Sequence, residues 1–153
     1  MYETALVVHN ALRWVALFAV LYAFLRAARG WLSGRARDGG DRASELIATI
    51  VVDLQFVLGL LLYFVWSPAV KAARENMGAS MKDPVARFWA VEHVSMMVLA
   101  IALVHIGKVL SRKAKSENSK HRRAAFAFGI ALALMLFGSP WPGGKLDRPL
   151  FRS

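Results

Sequence analysis

Eight polar side chains interrupt otherwise apolar stretches of this chain: His9, Asn10, Arg13, Asp53, Gln55, Glu92, His93 and His105. Ionisable groups at membrane depth are costly and normally face a bundle interior or a water-filled cavity. Each is therefore a candidate for chemistry. His9 and Arg13, four residues apart, share one face of a helix. Glu92 and His93 fall at matching depth on a helix that enters from the same side. A neutral imidazole from each of two facing helices is the axial ligand set of a bis-histidine b-type haem. Arg13 would then suit a haem propionate, and Glu92 would orient a ligating histidine or pair with Arg13. The plainer alternative keeps His9 among the headgroups and makes Arg13 and Glu92 an inter-helix ion pair without a cofactor.

Asp53 and His105 form a secondary polar pair. They are read either as a proton relay, a second metal or haem position, or as a structural hydrogen bond between neighbouring helices. Met96 and Met97 follow His93 within a turn and are read as packing. With no cysteine, the chain has no disulfide, iron–sulfur cluster or thioether-linked haem. No nucleophile–base pair, phosphate loop or zinc motif suggests an enzyme.

These residues need helices to position them. Apolar stretches run over about 5–25, 46–66, 88–110 and 124–137. Three reach the ~20 residues that span a bilayer, and the fourth is shorter. Lipid cannot satisfy backbone groups, so helices are expected, at approximately 5–28, 44–66, 84–110 and 123–138. The composition agrees: 57% hydrophobic, yet with a formal net charge of +10. The basic residues lie between apolar stretches without the aromatic interleaving that reads bases, which argues against nucleic acid. Arg26, Arg29, Arg35, Arg37 and Arg42 are counted to the first loop; Lys108, Arg112, Lys113, Lys115, Lys120, Arg122 and Arg123 to the third. The positive-inside rule makes loops 29–43 and 111–122 cytoplasmic, and leaves loop 67–83, the tail 139–153 and both termini outside. The start of the chain lacks the positive n-region of a signal peptide, so the first helix is expected to stay in the mature protein. Gly30 and the Gly39–Gly40 pair are expected to break the chain after the first helix. Asp83 followed by Pro84 is expected to cap the third. The fold class expected is all-α: one integral membrane domain, 1–153, an up-down-up-down four-helix bundle in a bacterial inner membrane.

The segments from His9 to Trp14, Leu58-Gly59-Leu60, Met81 to His93 and Pro140-Trp141-Pro142, with the closing Arg148-Pro149-Leu150-Phe151, resemble a family of small four-span bacterial membrane proteins often labelled "cytochrome b". The resemblance covers nearly the whole chain and is most specific over Arg87–His93. It implies four membrane helices with His9 and His93 in characteristic positions, and suggests haem b and electron transfer. Asp53 stands where a histidine is frequent in that pattern, which removes that position from the transferable ligands. Two functions follow. One is a single-electron carrier, exchanging electrons with a quinone or a larger membrane complex; the other is a cofactor-free structural or assembly subunit.

Overall fold

In this computed structural model, residues 1–143, 146 and 150 are described, and every element among them is helical. Helix α1 spans Tyr2–Ser33 and α2 spans Gly39–Leu61, continuing through a wide turn over Leu62–Trp66. Three short helices follow: α3 (Pro68–Glu75), α4 (Met77–Ser80) and α5 (Pro84–Arg87). A second wide turn, Phe88–Glu92, leads into α6 (His93–Arg112), and α7 covers Glu117–Phe137. The expected external loop 67–83 is thus largely helical. Of the tail, Lys145, Arg148, Pro149, Phe151 and Arg152 lie outside the described residues.

Among the described residues, three continuous segments are long and apolar enough to cross a membrane: Tyr2–Ser33, Gly39–Trp66 and Pro84–Arg112. Helix α7 is not of that kind, because its first two turns are polar. Its apolar part, 124–137, extends only about 21 Å at 1.5 Å per residue. Large apolar side chains such as Phe18, Leu54, Val57 and Ile106 face outward, as they do when the surroundings are hydrocarbon. The core is built from small residues and a few large ones: Ala16, Val20, Ala48, Ala100, Ala124 and Phe128 are all buried. Helix α1 packs on α2 and α7, and α7 packs on α6, whereas α2 and α6 touch only lightly. That loose seam matters for the site.

The helix boundaries have local causes. Asp38 caps α2, accepting from the Asp41 amide at 2.8 Å while the Asp41 carboxylate returns the bond to the Asp38 amide at 3.0 Å. This reciprocal cap draws Gly39 and Gly40 into the first turn of α2, so the glycine pair starts a helix where a break was expected. Asp83 Oδ1 accepts from the Ala86 amide at 2.6 Å, with Pro84 at the first helical position of α5.

Gly30, expected to end α1, sits inside it. The imidazole of His121 lies directly against it, where any Cβ would overlap the ring. His121 is 1% exposed, and burial lowers its pKa. Gly30→Ala is expected to overpack this contact and cost about 1–3 kcal/mol, read as a lower Tm in detergent. His121→Ala in the same chain should restore most of the loss. A Gly30→Ala protein that melts with the parent would mean that the ring turns aside freely.

Candidate functional site

The two wide turns set the geometry of one end of the molecule. In each, the backbone bonds five residues back: Ser67 N–H donates to the Leu62 carbonyl at 2.9 Å, and His93 N–H donates to the Phe88 carbonyl. Such π turns recur at functional sites because they displace side chains from the regular helical phase. The two face each other. Tyr63 O–H donates to the Ala90 carbonyl at 2.8 Å, and Arg74 stacks over Tyr63 and Phe64 with its guanidinium carbon 5.0 Å from each ring centre. Tyr63→Phe leaves that carbonyl without its donor and should cost about 1–2 kcal/mol. A detergent melt measures this; an unchanged Tm would show that the tie contributes nothing.

Between α1, α2 and α6, beneath these turns, lies a cavity of about 410 Å³. This is within the size range of small-molecule and cofactor sites. His9 reaches it from α1 and His93 from the start of α6. Their ring centres are 6.4 Å apart and their planes 78° apart. Helix α2 passes close behind His9 at Gly59, where a Cβ would stand only 3.2 Å from His9 Cε1, so a larger residue would push the ring.

His93 is fixed by one bond. Its Nδ1 lies 2.6 Å from the carbonyl oxygen of Gly138, which can only accept. The proton is therefore on Nδ1, and in the neutral ring Nε2 carries the lone pair. Phe88 and Trp89 pack against this ring at 5.9 and 5.6 Å. His9 is held by Gln55, whose amide nitrogen donates to the His9 carbonyl at 3.0 Å and lies 3.3 Å from His9 Nε2.

Arg13 also lines the cavity. Its guanidinium donates to the Leu150 carbonyl at 3.0 Å and the Pro140 carbonyl at 3.5 Å, and stands 5.2 and 5.5 Å from the ring centres of Trp14 and Trp141. The carbonyl of Leu150 accepts from Asn10 and Trp14 as well. Three polar atoms around this one cavity, His9 Nδ1, Arg13 Nε and Gln55 Oε1, are buried with no hydrogen-bond partner among the described residues. Buried polar groups are rarely left so.

Glu92 goes elsewhere. Its carboxylate accepts from Arg87 Nε at 2.7 Å, five residues back through the π turn, and it meets neither Arg13 nor a histidine nitrogen among the described contacts. His105 and Asp53 do meet, at 2.7 Å, on the outer faces of α6 and α2. No group of three or more His, Cys, Asp or Glu among the described residues is arranged to hold a bare metal ion.

A polar cluster at the opposite end was not anticipated from sequence. Arg37 pairs with Glu45 at 2.5 Å, both side chains 5% exposed. Arg37 also donates to Ser111 Oγ, which donates in turn to the Lys120 carbonyl at 2.9 Å. Arg26 and Arg35 converge on Asp41 at 3.1 and 2.6 Å. The Arg37 amide donates to Glu117 at 2.8 Å, and the adjacent Lys120 ammonium holds the Glu117 carboxyl below its ordinary pKa. The available signal was the placement of scarce acids, Asp38, Asp41, Glu45 and Glu117, within basic segments.

Comparison with known proteins finds no family model, no curated protein and no solved structure that matches this chain.

Proposed function

We propose that this chain is a small b-type cytochrome-like membrane protein that carries single electrons. The observation that carries the reading is the facing of His9 and His93 across a cavity, their ring centres 6.4 Å apart. Two imidazoles on opposite sides of one metal, each nitrogen about 2 Å from it, have centres separated by roughly this distance. His93 has the tautomer that such a role needs, since its Nδ1 proton is committed to Gly138. The residues present therefore fit haem b. His9 and His93 would hold it from either side, and Arg13 would turn its unpartnered Nε to a propionate. Haem, when bound, supplies reversible one-electron chemistry at iron.

The protein's own contribution is binding and shielding. Phe56, Trp89 and Met97 give the cavity apolar walls that exclude water. Gln55 fixes the His9 ring, and the Arg87–Glu92 ion pair braces the π turn that delivers His93. Held by both His9 and His93, the group would supply electron transfer and not oxygen chemistry. In this reading α1, α2, α6 and α7 form the up-down-up-down bundle in a bacterial inner membrane, with the Arg37–Glu45 end cytoplasmic and both termini outside. The resemblance to the four-span family supports the four spans, and the basic loops support that orientation.

The test is a dithionite-reduced minus air-oxidised spectrum of the detergent-purified protein, expressed with ample haem. Sharp α and Soret bands at near-unit haem stoichiometry are expected. A folded, helical and colourless protein would reject the cytochrome reading and favour the structural-subunit alternative.

A further inference from the structure

Helix α7 sorts its charges by face. Its one acid, Glu117, accepts from the Arg37 amide and is held by Lys120. Arg122 and Arg123 are both exposed, and neither forms an ion pair among the described residues. At about 100° per residue they flank Phe126 within roughly 60°, and Ile130 and Phe137 continue the same line along the helix, with Glu117 on the opposite side. Phe126, Ile130 and Phe137 are 57%, 50% and 79% exposed. Two unpaired guanidinium groups thus head a strip of bare apolar side chains.

The neighbouring helices border this strip without covering it. Trp31 of α1 meets Phe126 with ring centres 5.5 Å apart, and Ala127 abuts Gly107 of α6. Arg123 Nη1 donates to the Leu110 carbonyl at 3.2 Å, which fixes one arm of the guanidinium and leaves its other donors outward. Depth adds a second constraint. From Arg123 to Phe137 the helix rises about 21 Å, against roughly 30 Å for a bilayer's hydrocarbon core. With Phe137 at one boundary the arginines fall short of the other, so the bilayer must thin there or the side chains must reach out to an anion.

The occupant that fits has an anionic head for two guanidinium groups and an apolar body that runs down the helix. Arginine matches phosphate oxygens through paired donors. Two copies of this chain related by an axis along the membrane normal would meet at equal depth and set arginine against arginine. An acidic peptide would satisfy the arginines and leave the apolar strip bare.

We propose that the outer face of α7 binds an acidic phospholipid, its phosphate held between Arg122 and Arg123 and its chains along Phe126, Ile130 and Phe137. The inference rests on insertion of the chain in a bilayer. It is independent of haem and of which side this end faces, since both leaflets carry phosphate.

The experiment is native mass spectrometry of the full chain with equal amounts of phosphatidylglycerol and phosphatidylcholine of identical acyl chains. Phosphatidylglycerol adducts are expected to exceed phosphatidylcholine adducts roughly tenfold, the worth of a charge-assisted contact. Arg122→Gln with Arg123→Gln should bring the two lipids level. Lys113→Gln with Lys115→Gln removes the same charge from the adjoining turn and should leave the preference intact. Because Arg123 also ties α7 to α6, Arg122→Gln alone serves as the variant that leaves the fold untouched, and should lower the preference about threefold. A diazirine placed on the acyl chain should label 122–137. A preference that survives loss of both arginines, or that falls equally in the lysine variant, would overturn the proposal. So would adducts displaced by soluble glycerol phosphate as readily as by the lipid, or labels spread evenly over the apolar surface. Phe126→Cys, in a chain otherwise free of cysteine, should stay monomeric under oxidation in membranes. A disulfide dimer there would show the face closed by a second copy and reject the lipid.

Discussion

His93→Ala yields a protein without b-type haem absorbance that still inserts and remains helical. Two consequences of the substitution combine. The imidazole that would face the metal is gone, and the Gly138 carbonyl loses its donor at 2.6 Å. The fold should survive, because His93 is the first residue of α6 and its ring faces the cavity while the core sits lower, around Val20, Ala100 and Phe128. Added imidazole should restore part of the spectrum in His93→Gly, since the small molecule can enter the vacated volume. His9→Ala should lose the haem absorbance likewise, with the His93–Gly138 bond left in place. If either alanine variant keeps a wild-type haem spectrum, the ligand assignment is wrong.

Glu45→Ala is the substitution expected to cost most in stability. It leaves the Arg37 guanidinium 5% exposed and without its carboxylate, in a pocket closed by Ser111 and α7. Removing one partner of such a buried pair typically costs about 3–5 kcal/mol. The expected readout is a large drop in the SDS fraction needed to unfold the protein, followed by circular dichroism. Arg37→Met with Glu45→Leu should recover most of it, as apolar replacements of both partners are often neutral. A single variant no worse than the double one would show that Arg37 finds solvent when its partner is lost.

The course of the three long apolar helices was legible because about 20 apolar residues in sequence allow little else. The meeting of His9 and His93 was legible for a related reason: both lie near the same end of long helices, so their depths match. The fate of Glu92 was not. On a regular helix residues five apart diverge, and the π turn over 88–92 instead stacks Arg87 on Glu92. Nor was the Arg37–Glu45 cluster visible, since basic loops flanking apolar spans read as an orientation signal. Charge tallies do not say which arginines find acids. His121 falls within that basic segment of the sequence, yet it packs on Gly30 with 1% exposure. The early start of α7, at Glu117 where 123 was expected, follows from Ser116, whose Oγ accepts from the Ser119 amide at 3.2 Å and caps polar turns that hydropathy alone cannot place.

A π turn amounts to one residue slipped into an α-helix, so everything on one side of it is rotated by about 100° against the other. The segment from Pro84 to Arg112 therefore carries two phases, an aromatic one above the slip and a histidine one below it. Both phases address the same cavity only because of that offset. Deleting a single residue between 88 and 92 would leave every cavity-lining side chain beyond it intact and the helix more regular, yet Phe88 and Trp89 would swing away from the ring they now enclose. The aromatic shelter of His93 depends on the length of that turn as much as on the residues in it.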